Sequence, residues 1–274
     1  MSYDPEFLSV PVPLPRPADE TSIEELPYVH FTVLLDTDKR LAAVTAVNIS
    51  GKDLSRPPRN DRWRYDPRVA EEFQAGPDVY ESPDLDRGHL VRRLDPVWGA
   101  PALAIQANDD TFTFPNAAPQ ASGFNQGKAL WAGVEDHVLD YADAHDVKIS
   151  VFTAPIFGPD DPLHHGVRVP RRFWKIAAWT RAAKGSHLRS VGFVLDQSAQ
   201  LDRIQLEAAG RPRELLPDLG GFRTYQVPVA SIASATTIGL EQLVKADRYE
   251  PSTEGVRGWV SPWKQLSSTD QIVL

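Results

Sequence analysis

The sequence predicts a single domain of the α+β class, in which a multi-stranded β-sheet is accompanied by a few helices. Segments rich in β-branched and aromatic residues recur along the chain, and fewer stretches place apolar residues at helical spacing. No internal repeat divides the 274 residues, of which 42% are hydrophobic and 24% charged, so one substantial core is expected. We divide the chain into an N-terminal arm, a main domain and a C-terminal extension, at residues 1–27, 28–250 and 251–274.

The first predicted elements are the arm and a β-hairpin. Residues 1–27 hold six prolines and many acidic residues without clear periodicity, which is typical of an extended arm. Val29–Leu35 and Arg40–Ile49 are β-rich segments. Asp36–Lys39 between them has the polar residues of a hairpin turn. These segments therefore predict two antiparallel strands at the start of the main domain.

The middle of the chain is predicted to alternate between loops and short strands. Asp53–Leu85 is a long segment rich in proline, arginine and aspartate, of the kind that carries binding residues. A strand is expected at Gly88–Arg93, which would place His89 near its start. A second short strand is expected at Thr111–Phe114, where polar and aromatic residues alternate.

A helix and further strands complete the prediction. Apolar residues at helical spacing beyond Phe124 predict a helix with Asn125 at its N-terminus and Glu135 about three turns along. The remaining strands are expected at Val147–Phe152, Phe173–Thr180, Ser190–Leu195 and Phe222–Val229. Two more helices are expected at Gln197–Ala209 and Ser231–Ile238.

The composition excludes several kinds of site and gives an expectation for location. Cysteine is absent, so disulfides, thiolate-ligated metals and a thiol nucleophile are all excluded. No run approaches the roughly 18 apolar residues of a transmembrane helix, and no membrane partner is expected. The first residues lack the basic and apolar regions of a signal peptide. We therefore expect a cytoplasmic protein, or one exported by a route without a cleavable signal.

The charge distribution is compatible with a local binding site for a polyanion. The formal net charge of −8 disfavours a protein that coats nucleic acid. Five arginines between Arg56 and Arg68 meet only two aspartates, and residues 162–195 contain no acidic residue. These two basic runs favour an anion-binding groove on an acidic body. Either run taken alone is also typical of a solvated charged surface.

The segment Asp86-Arg87-Gly88-His89 carries the most chemical information. A histidine accepts a proton near neutral pH, and a guanidinium binds phosphate through paired hydrogen bonds. Glycine between them lets the backbone approach a large anion. A site that cleaves phosphodiester bonds needs both chemistries side by side. Further polar motifs follow downstream: Asn116-Ala117-Ala118-Pro119-Gln120, Phe124-Asn125-Gln126-Gly127 and Trp131-Ala132-Gly133-Val134-Glu135-Asp136.

This ordered set resembles the DNA/RNA non-specific endonuclease family, the ββα-metal nucleases that include the endonuclease G-like enzymes. The family's order of Asp-Arg-Gly-His, Asn-x-x-Pro-Gln, Asn-Gln and a Trp followed four residues on by Glu is present between Asp86 and Glu135. Two more residues than usual separate the last Asn from the Glu. The likeness covers roughly residues 25–245. It implies a ββα-metal nuclease fold, with a central antiparallel sheet flanked by helices.

The resemblance also implies catalytic and substrate-binding roles. His89 would be the general base, and Arg87 would bind the phosphate. Asn116 would support the site, either by ordering the ββα turn or by bonding a metal-bound water. Arg59 and Arg62 lie near the position where the family carries a substrate-binding arginine.

A metal and a substrate class follow from the same resemblance. Asn125 would bind Mg²⁺ directly and Glu135 would hold one of the metal's waters, with Mn²⁺ as a substitute. The substrates would be DNA and RNA, cleaved to products with 5′-phosphate ends. A nuclease that contacts phosphate and not base edges gains no sequence preference from that contact.

Simpler structural roles are the alternatives for these residues. His89 could be a satisfied core histidine, Asn125 a helix cap and Glu135 an exposed helix acid. Arg87 could pair with Asp84 or Asp86. His164-His165 beside two aspartates is interpreted as a loop and not as a second metal site.

Two functional alternatives also stay open. One is a catalytically silent nucleic-acid-binding or scaffold protein of the same fold. The other is a nuclease toxin or defence effector restrained by a partner. A homodimer and an inhibitor or regulatory protein are the protein partners to test.

Overall fold

The computed structural model describes residues 1–122, 138–142, 144, 147–181, 187–211, 222–250 and 262–272. The strands in these ranges are β1 (Ile23–Tyr28), β2 (Phe31–Asp36), β3 (Leu41–Ser50), β4 (Leu85–His89), β5 (Ala117–Ala121), β6 (Lys148–Ile156), β7 (Leu163–His164), β8 (Val167–Arg168), β9 (Arg172–Arg181), β10 (His187–Asp196), β11 (Arg223–Val227) and β12 (Lys264–Leu266). The α-helices with defined bounds are α1 (Pro101–Asp110), α2 (Ser198–Ala208), α3 (Val229–Ala235) and α4 (Glu241–Ala246). Short 3₁₀ helices lie at Gly51–Asp53, Glu71–Phe73, Pro77–Tyr80, Phe114–Asn116 and Thr269–Gln271.

A large antiparallel sheet organises the fold, in the strand order β1-β2-β3-β6-β9-β10-β11-β12. The hydrophobic run Leu41–Ser50 forms β3, which is buried along its whole length. Complete burial is expected of a strand that is covered on both faces. The predicted hairpin is confirmed, because β2 pairs with β3 and the carboxylate of Asp36 accepts the Lys39 backbone N–H at 3.0 Å in the turn.

One face of the sheet supports the segment that contains Asp86-Arg87-Gly88-His89. The hairpin of β4 and β5 packs there, together with a helical segment at 138–142 and with α2. Apolar side chains of the sheet, such as Val47, Val151 and Val191, form the other half of this core layer. Burial of such side chains contributes roughly 25 cal/mol per Å² of apolar surface. The β4–β5 hairpin is therefore held on a rigid support.

The opposite face is covered by α3, α4 and the N-terminal segment. The ring of Tyr3 meets Phe152 of β6 edge-on at 5.7 Å, and its hydroxyl donates to the Val12 carbonyl at 2.7 Å. Phe7 and Leu8 belong to the same buried cluster. The proline-rich segment is thus part of the second core layer. The boundary proposed at residue 27 falls inside β1, the edge strand of the sheet.

The predicted α+β class and the central antiparallel sheet are confirmed, and two predicted strands are wrong. The strand expected at Gly88–Arg93 instead ends at His89, as β4. The strand expected at Thr111–Phe114 is a turn followed by a 3₁₀ helix, with one isolated bridge from Thr113 to Arg64. Pro115 has no backbone N–H to donate and favours the helical turn. No helix in the described part of the chain is both long and apolar enough to cross a membrane.

Candidate active site

The position of His89 is set by a two-stranded ladder between β4 and β5. The register pairs Arg87 with Pro119 and His89 with Ala117, and the ladder ends at that last pair. His89 is therefore the final residue of its strand. The sequence analysis had placed it near the start of a strand. Alternation along β4 places Arg87 and His89 on the same side of the hairpin.

Asn116 gives the physical reason why the ladder stops at His89. Its side-chain oxygen accepts the Val91 N–H at 2.8 Å, and its amide group donates to the carbonyls of Val91 and Thr111 at 3.0 Å each. Its own carbonyl accepts the Leu90 N–H at 2.9 Å. Asn116 is completely buried, so the backbone groups around it need hydrogen-bond partners within the protein. The Asn116 side chain provides partners for Val91 where strand pairing does not continue. Both amide donors are thereby used in ordering the turn that follows His89.

Gly88 lies against the end of the Gln120 side chain inside the β4–β5 pair. An added Cβ at this position would lie 2.0 Å from Cδ of Gln120, which is far inside van der Waals contact. The Gln120 side chain therefore fills the space that any other residue at position 88 would need. This differs from the expected role of Gly88, which was to let the backbone approach an anion.

The imidazole of His89 lies among aromatic rings. Trp63 packs against it at a centroid distance of 4.6 Å, and Phe112 meets it edge-on at 5.0 Å. The residue as a whole is partly exposed, but its Nε2 atom is buried and has no hydrogen-bond partner among the described residues. Burial, followed by the charges of Arg59 and Arg93, lowers the pKa of His89 to about 3. The imidazole is therefore neutral near pH 7.

Several guanidinium groups surround this imidazole. Arg59 lies over the Phe112 ring at 5.5 Å, and Arg87 over the Trp63 ring at 5.8 Å. Arg93 donates to the Pro57 carbonyl at 3.0 Å and to Asn108 Oδ1 at 2.9 Å. Burial, together with the charges of Arg59 and Arg92, lowers the pKa of Arg93. So many cations in one place favour the binding of an anion.

The arginine-rich loop that carries Arg59 and Trp63 is anchored at its far end. Asp66 is buried, accepts a hydrogen bond from the Tyr28 hydroxyl at 2.6 Å and pairs with Arg68 at 2.5 Å. The Asp66 backbone N–H donates to Gln74 Oε1 at 2.8 Å. Arg64 adds a second anchor through the carbonyl of Asp109 at 2.7 Å. These bonds hold the C-terminal end of the loop that carries Arg59 and Trp63.

The structure brings together some of the residues singled out from the sequence. Arg59 and Arg93 act on the imidazole of His89, and Arg87 is exposed on the same strand. Arg62 is exposed, and only its backbone N–H has a described hydrogen bond, to Asn60 at 3.0 Å. Among the described residues, no ion pair joins Arg87 and Asp84.

Three residues of the site were missed by the sequence reasoning. The sequence analysis placed Phe112 in a strand and gave no role to Trp63 or Arg93. The signals that could have found them are the position of Trp63 within the arginine-rich loop and that of Arg93 four residues after His89. Phe112 carried no signal, because its contact with His89 depends on the turn that Asn116 orders.

The two expected metal-binding residues, Asn125 and Glu135, lie outside the described residues. Within the ranges that the structure describes, no group of three or more histidine or acidic side chains could hold an ion. The described residue whose chemistry fits a nearby hydrated metal is His89, because its buried Nε2 atom has no hydrogen-bond partner among the described residues and a neutral imidazole can bond a metal-bound water.

Three described cations of the second basic run make contacts within the protein. Arg171 pairs with Asp202 at 2.7 Å, Arg168 donates to the Asp161 carbonyl at 3.1 Å, and Lys175 is buried within β9. His164 and His165 lie at the turn between β7 and β8, where His165 and Gly166 have positive φ values of 46° and 76°. This is the loop that the sequence predicted.

Comparison with known proteins adds three findings. The family model of the DNA/RNA non-specific endonucleases matches residues 15–247. The uncharacterized protein y4fB of Sinorhizobium fredii is 41% identical over 279 aligned residues, which cover 92% of this chain but 40% of y4fB. This chain thus spans less than half of that relative. EndoG, solved in a complex that shows how EndoGI inhibits it, superposes with a TM-score of 0.59 at 16% identity, over 80% of this chain and 86% of EndoG.

Proposed function

The chain belongs to the DNA/RNA non-specific endonuclease family, and we propose that it is a metal-dependent, sugar-non-specific endonuclease that hydrolyses phosphodiester bonds in DNA and RNA. The observation that carries this proposal is the buried, unpartnered Nε2 atom of His89 in the part of the chain described, set among arginines. An unsatisfied buried polar atom is costly, and active sites are where such atoms are retained.

His89 is the general base of the proposed reaction. Its neutral imidazole would take a proton from the attacking water, a contribution that is typically worth about 10²–10⁴ in rate. Trp63 and Phe112 fix the plane of the ring, so that the acceptor atom points in one direction. Asn116 is a positioning residue, because it holds the turn after His89 and donates both amide hydrogens to backbone carbonyls.

The arginines bind the scissile phosphate and its neighbours. Arg87 is exposed beside Trp63, and Arg59 lies near the imidazole that would face the attacking water. Guanidinium groups bind phosphate oxygens through paired, charge-assisted hydrogen bonds. As charge builds up on the phosphate during attack, these fixed cations stabilise it more strongly than the ground state. Contacts to phosphate carry no sequence information, which is in keeping with a broad substrate range.

Members of this family are generally metal-dependent, and Mg²⁺ is the proposed ion, with Mn²⁺ as a substitute. Asn125 would hold it through its amide oxygen, and Glu135 through one of its waters, in keeping with the preference of Mg²⁺ for oxygen ligands and retained water. The bound ion would supply Lewis-acid stabilisation of the phosphate and of the leaving 3′-oxygen. His89 is kept free of the metal in this scheme.

A cleavage assay with matched variants tests the proposal. Purified protein is expected to degrade both supercoiled plasmid and structured RNA when Mg²⁺ is present, and to stop when EDTA is added. His89→Ala should lose activity, while His187→Ala, which removes an exposed histidine at the start of β10, should not. Intact substrate at micromolar wild-type enzyme with metal present would remove the nuclease function. Binding without cleavage would instead support the silent nucleic-acid-binding protein.

A restraining partner is the second part of the proposal. The solved EndoG structure is that of an inhibited complex, and an arginine-rich site such as the one around Arg59 and Arg87 is open to an acidic inhibitor as well as to a polyphosphate. Purified enzyme should then be inhibited by its partner in a salt-sensitive way. Affinity capture with the His89→Ala protein, followed by inhibition of the wild-type enzyme with the captured protein, would identify it.

A further inference from the structure

Asp61 is placed where a substrate phosphate would bind. We infer that its carboxylate is an internal competitor of the phosphate, and that nucleic acid must displace it from Arg59 before that arginine can bind the backbone. This inference rests on the proposed function and names a residue that sets substrate affinity. Three observations support it: the contacts between Arg59 and Asp61, the location of Arg59 close to His89, and the turn that holds Asp61.

The contact between Arg59 and Asp61 has the form of an arginine–phosphate contact. Nε of Arg59 lies 2.7 Å from Oδ1 and 2.8 Å from Oδ2 of Asp61, and Nη2 lies 2.7 Å from Oδ1. One planar edge of the guanidinium is therefore filled by two oxygens of a planar anion. A phosphate would compete for the same Nε and Nη2 donors. The two anions cannot occupy them at once.

The competition takes place at the catalytic histidine and not on a remote surface. Arg59 lies over Phe112, whose ring meets the His89 imidazole edge-on. The charge of Asp61 also acts on Arg93, the other arginine that acts on His89. The carboxylate of Asp61 thus pairs with one of the two arginines that lower the pKa of His89, and its charge acts on the other.

The local backbone holds Asp61 in this position. Its φ of 51° is in the left-handed region, which aspartate tolerates better than most residues. Oδ1 of Asn60 accepts the Arg62 N–H at 3.0 Å, and the Asn60 amide donates to Asp109 at the end of α1. The turn is therefore fixed on the body, and exchange of partners requires only rotation of the Arg59 side chain.

The affinity of the pair sets the size of the expected effect. The side chains of Arg59 and Asp61 are 53% and 59% exposed, and an ion pair this open to water is weak. Displacement by a phosphate is therefore feasible and costs a modest factor in affinity. An orienting role for Asp61 would have the opposite sign, because its loss would then weaken binding.

Binding without turnover separates these roles. The probe is a short fluorescein-labelled DNA duplex, titrated in EDTA and followed by fluorescence anisotropy. Asp61→Asn should bind it about 2–5-fold more tightly than the wild type. Asparagine tolerates positive φ and so preserves the turn. Asp61→Gly is the second variant, for the case that the new amide still bonds Arg59, and it should show the same gain.

Two controls make the result specific. Asp53→Asn removes the same charge from an exposed aspartate for which no contact to an arginine is described, and it should give a smaller change. In an Arg59→Ala background the Asp61→Asn gain should vanish, because the contested donors are gone. An unchanged or weakened affinity in both Asp61 variants, or a gain that persists without Arg59, overturns the inference. Failure of the wild type to bind the duplex at all would likewise overturn the inference, whereas absence of cleavage with Mg²⁺ present would contradict the proposed function.

Discussion

The indole of Trp63 lies against the imidazole of His89, with ring centroids 4.6 Å apart and planes inclined at 50°. The two residues come from different parts of the sequence, one from the arginine-rich loop and the other from the end of β4. The guanidinium carbon of Arg87 also lies over the Trp63 ring, 5.8 Å from its centroid. A single side chain therefore connects the proposed base with the proposed phosphate-binding arginine.

Trp63→Ala should reduce kcat/KM on plasmid DNA by on the order of 10–100-fold, because both the imidazole plane and the Arg87 position would be lost. Greater access of water should also raise the pKa of His89 towards its ordinary value. Trp63→Phe is the matched control, since a smaller ring retains part of both contacts and should retain most of the activity. Equal losses in the two variants would contradict the positioning role.

The pH profile provides a second prediction. Burial and neighbouring cations lower the pKa of His89, so the imidazole remains deprotonated at pH values where an exposed histidine is protonated. The acid limb of kcat/KM should therefore lie below the value of ~6.5 that is usual for histidine. Activity should be retained as pH falls through 6.5 and be lost only as it passes the lowered pKa.

Arg93→Ala tests the electrostatic part of this shift. Removal of one repelling charge should move the acid limb to higher pH, while Arg168→Ala, on the β7–β8 hairpin, should leave it in place. An acid limb at or above ~6.5 in the wild type would show that His89 is more hydrated in solution than in this structure, or that it is not the base.

Asn116→Ala should destabilise the protein by about 2–4 kcal/mol. The substitution removes three hydrogen bonds of a buried amide and leaves backbone groups of Val91 and Thr111 without partners. Chemical denaturation measures this loss. Asn116→Asp keeps the acceptor but removes both donors, so it should be at least as unstable. A stable Asn116→Ala protein that lacks activity would instead indicate that the amide contacts the metal-bound water.

Gly88 and Gln120 should behave as a coupled pair. Gly88→Ala forces the Gln120 side chain to move, because the new Cβ would overlap it, and a cost of about 1–3 kcal/mol is expected. Gln120→Ala removes the overlapping atoms, so the double variant should be more stable than the sum of the single changes predicts. Strictly additive effects in urea denaturation would contradict this packing.

Local signals in the sequence predicted the scaffold of the fold well. The β2–β3 hairpin, the strand at Phe173–Thr180 and the helix at Gln197–Ala209 follow from apolar patterning and turn residues, and each is present within one or two residues of its predicted bounds. Such patterns are local, because alternation and helical spacing depend on neighbours in the chain. The end of β4 was mispredicted since it depends on Asn116, a residue 27 positions after His89.

The sequence singled out charged residues near His89 but not the aromatic packing around its imidazole. Arginine, glycine and histidine in sequence indicated a phosphate-directed site. The contact of Trp63 with His89 could not be inferred, since tryptophan is more often a core residue and nothing local connects positions 63 and 89. In the second basic run, charged residues that suggested an anion-binding surface make contacts within the protein. Arg171 and Lys175 are charged in sequence, yet one is paired with Asp202 and the other is buried.

The final prediction separates the base from the metal ligands by titrating Mg²⁺ against the cleavage rate. His89→Ala should lose about 10²–10⁴ in rate at every metal concentration, because the imidazole is not expected to touch the ion. Asn125→Ala should weaken metal affinity, so that raised Mg²⁺ restores part of the rate. Glu135→Ala should show a milder form of the same defect, of about 10–100-fold, since it acts through water.

Arg87→Ala completes this set as the control for substrate binding. Its defect should appear mainly in KM, should not be restored by metal and should grow with added salt, because screening weakens the remaining phosphate contacts. Isothermal titration of Mn²⁺ into each variant measures metal binding independently of turnover. If metal rescues His89→Ala but not Asn125→Ala, the two roles are reversed and the proposed assignment of this site is wrong.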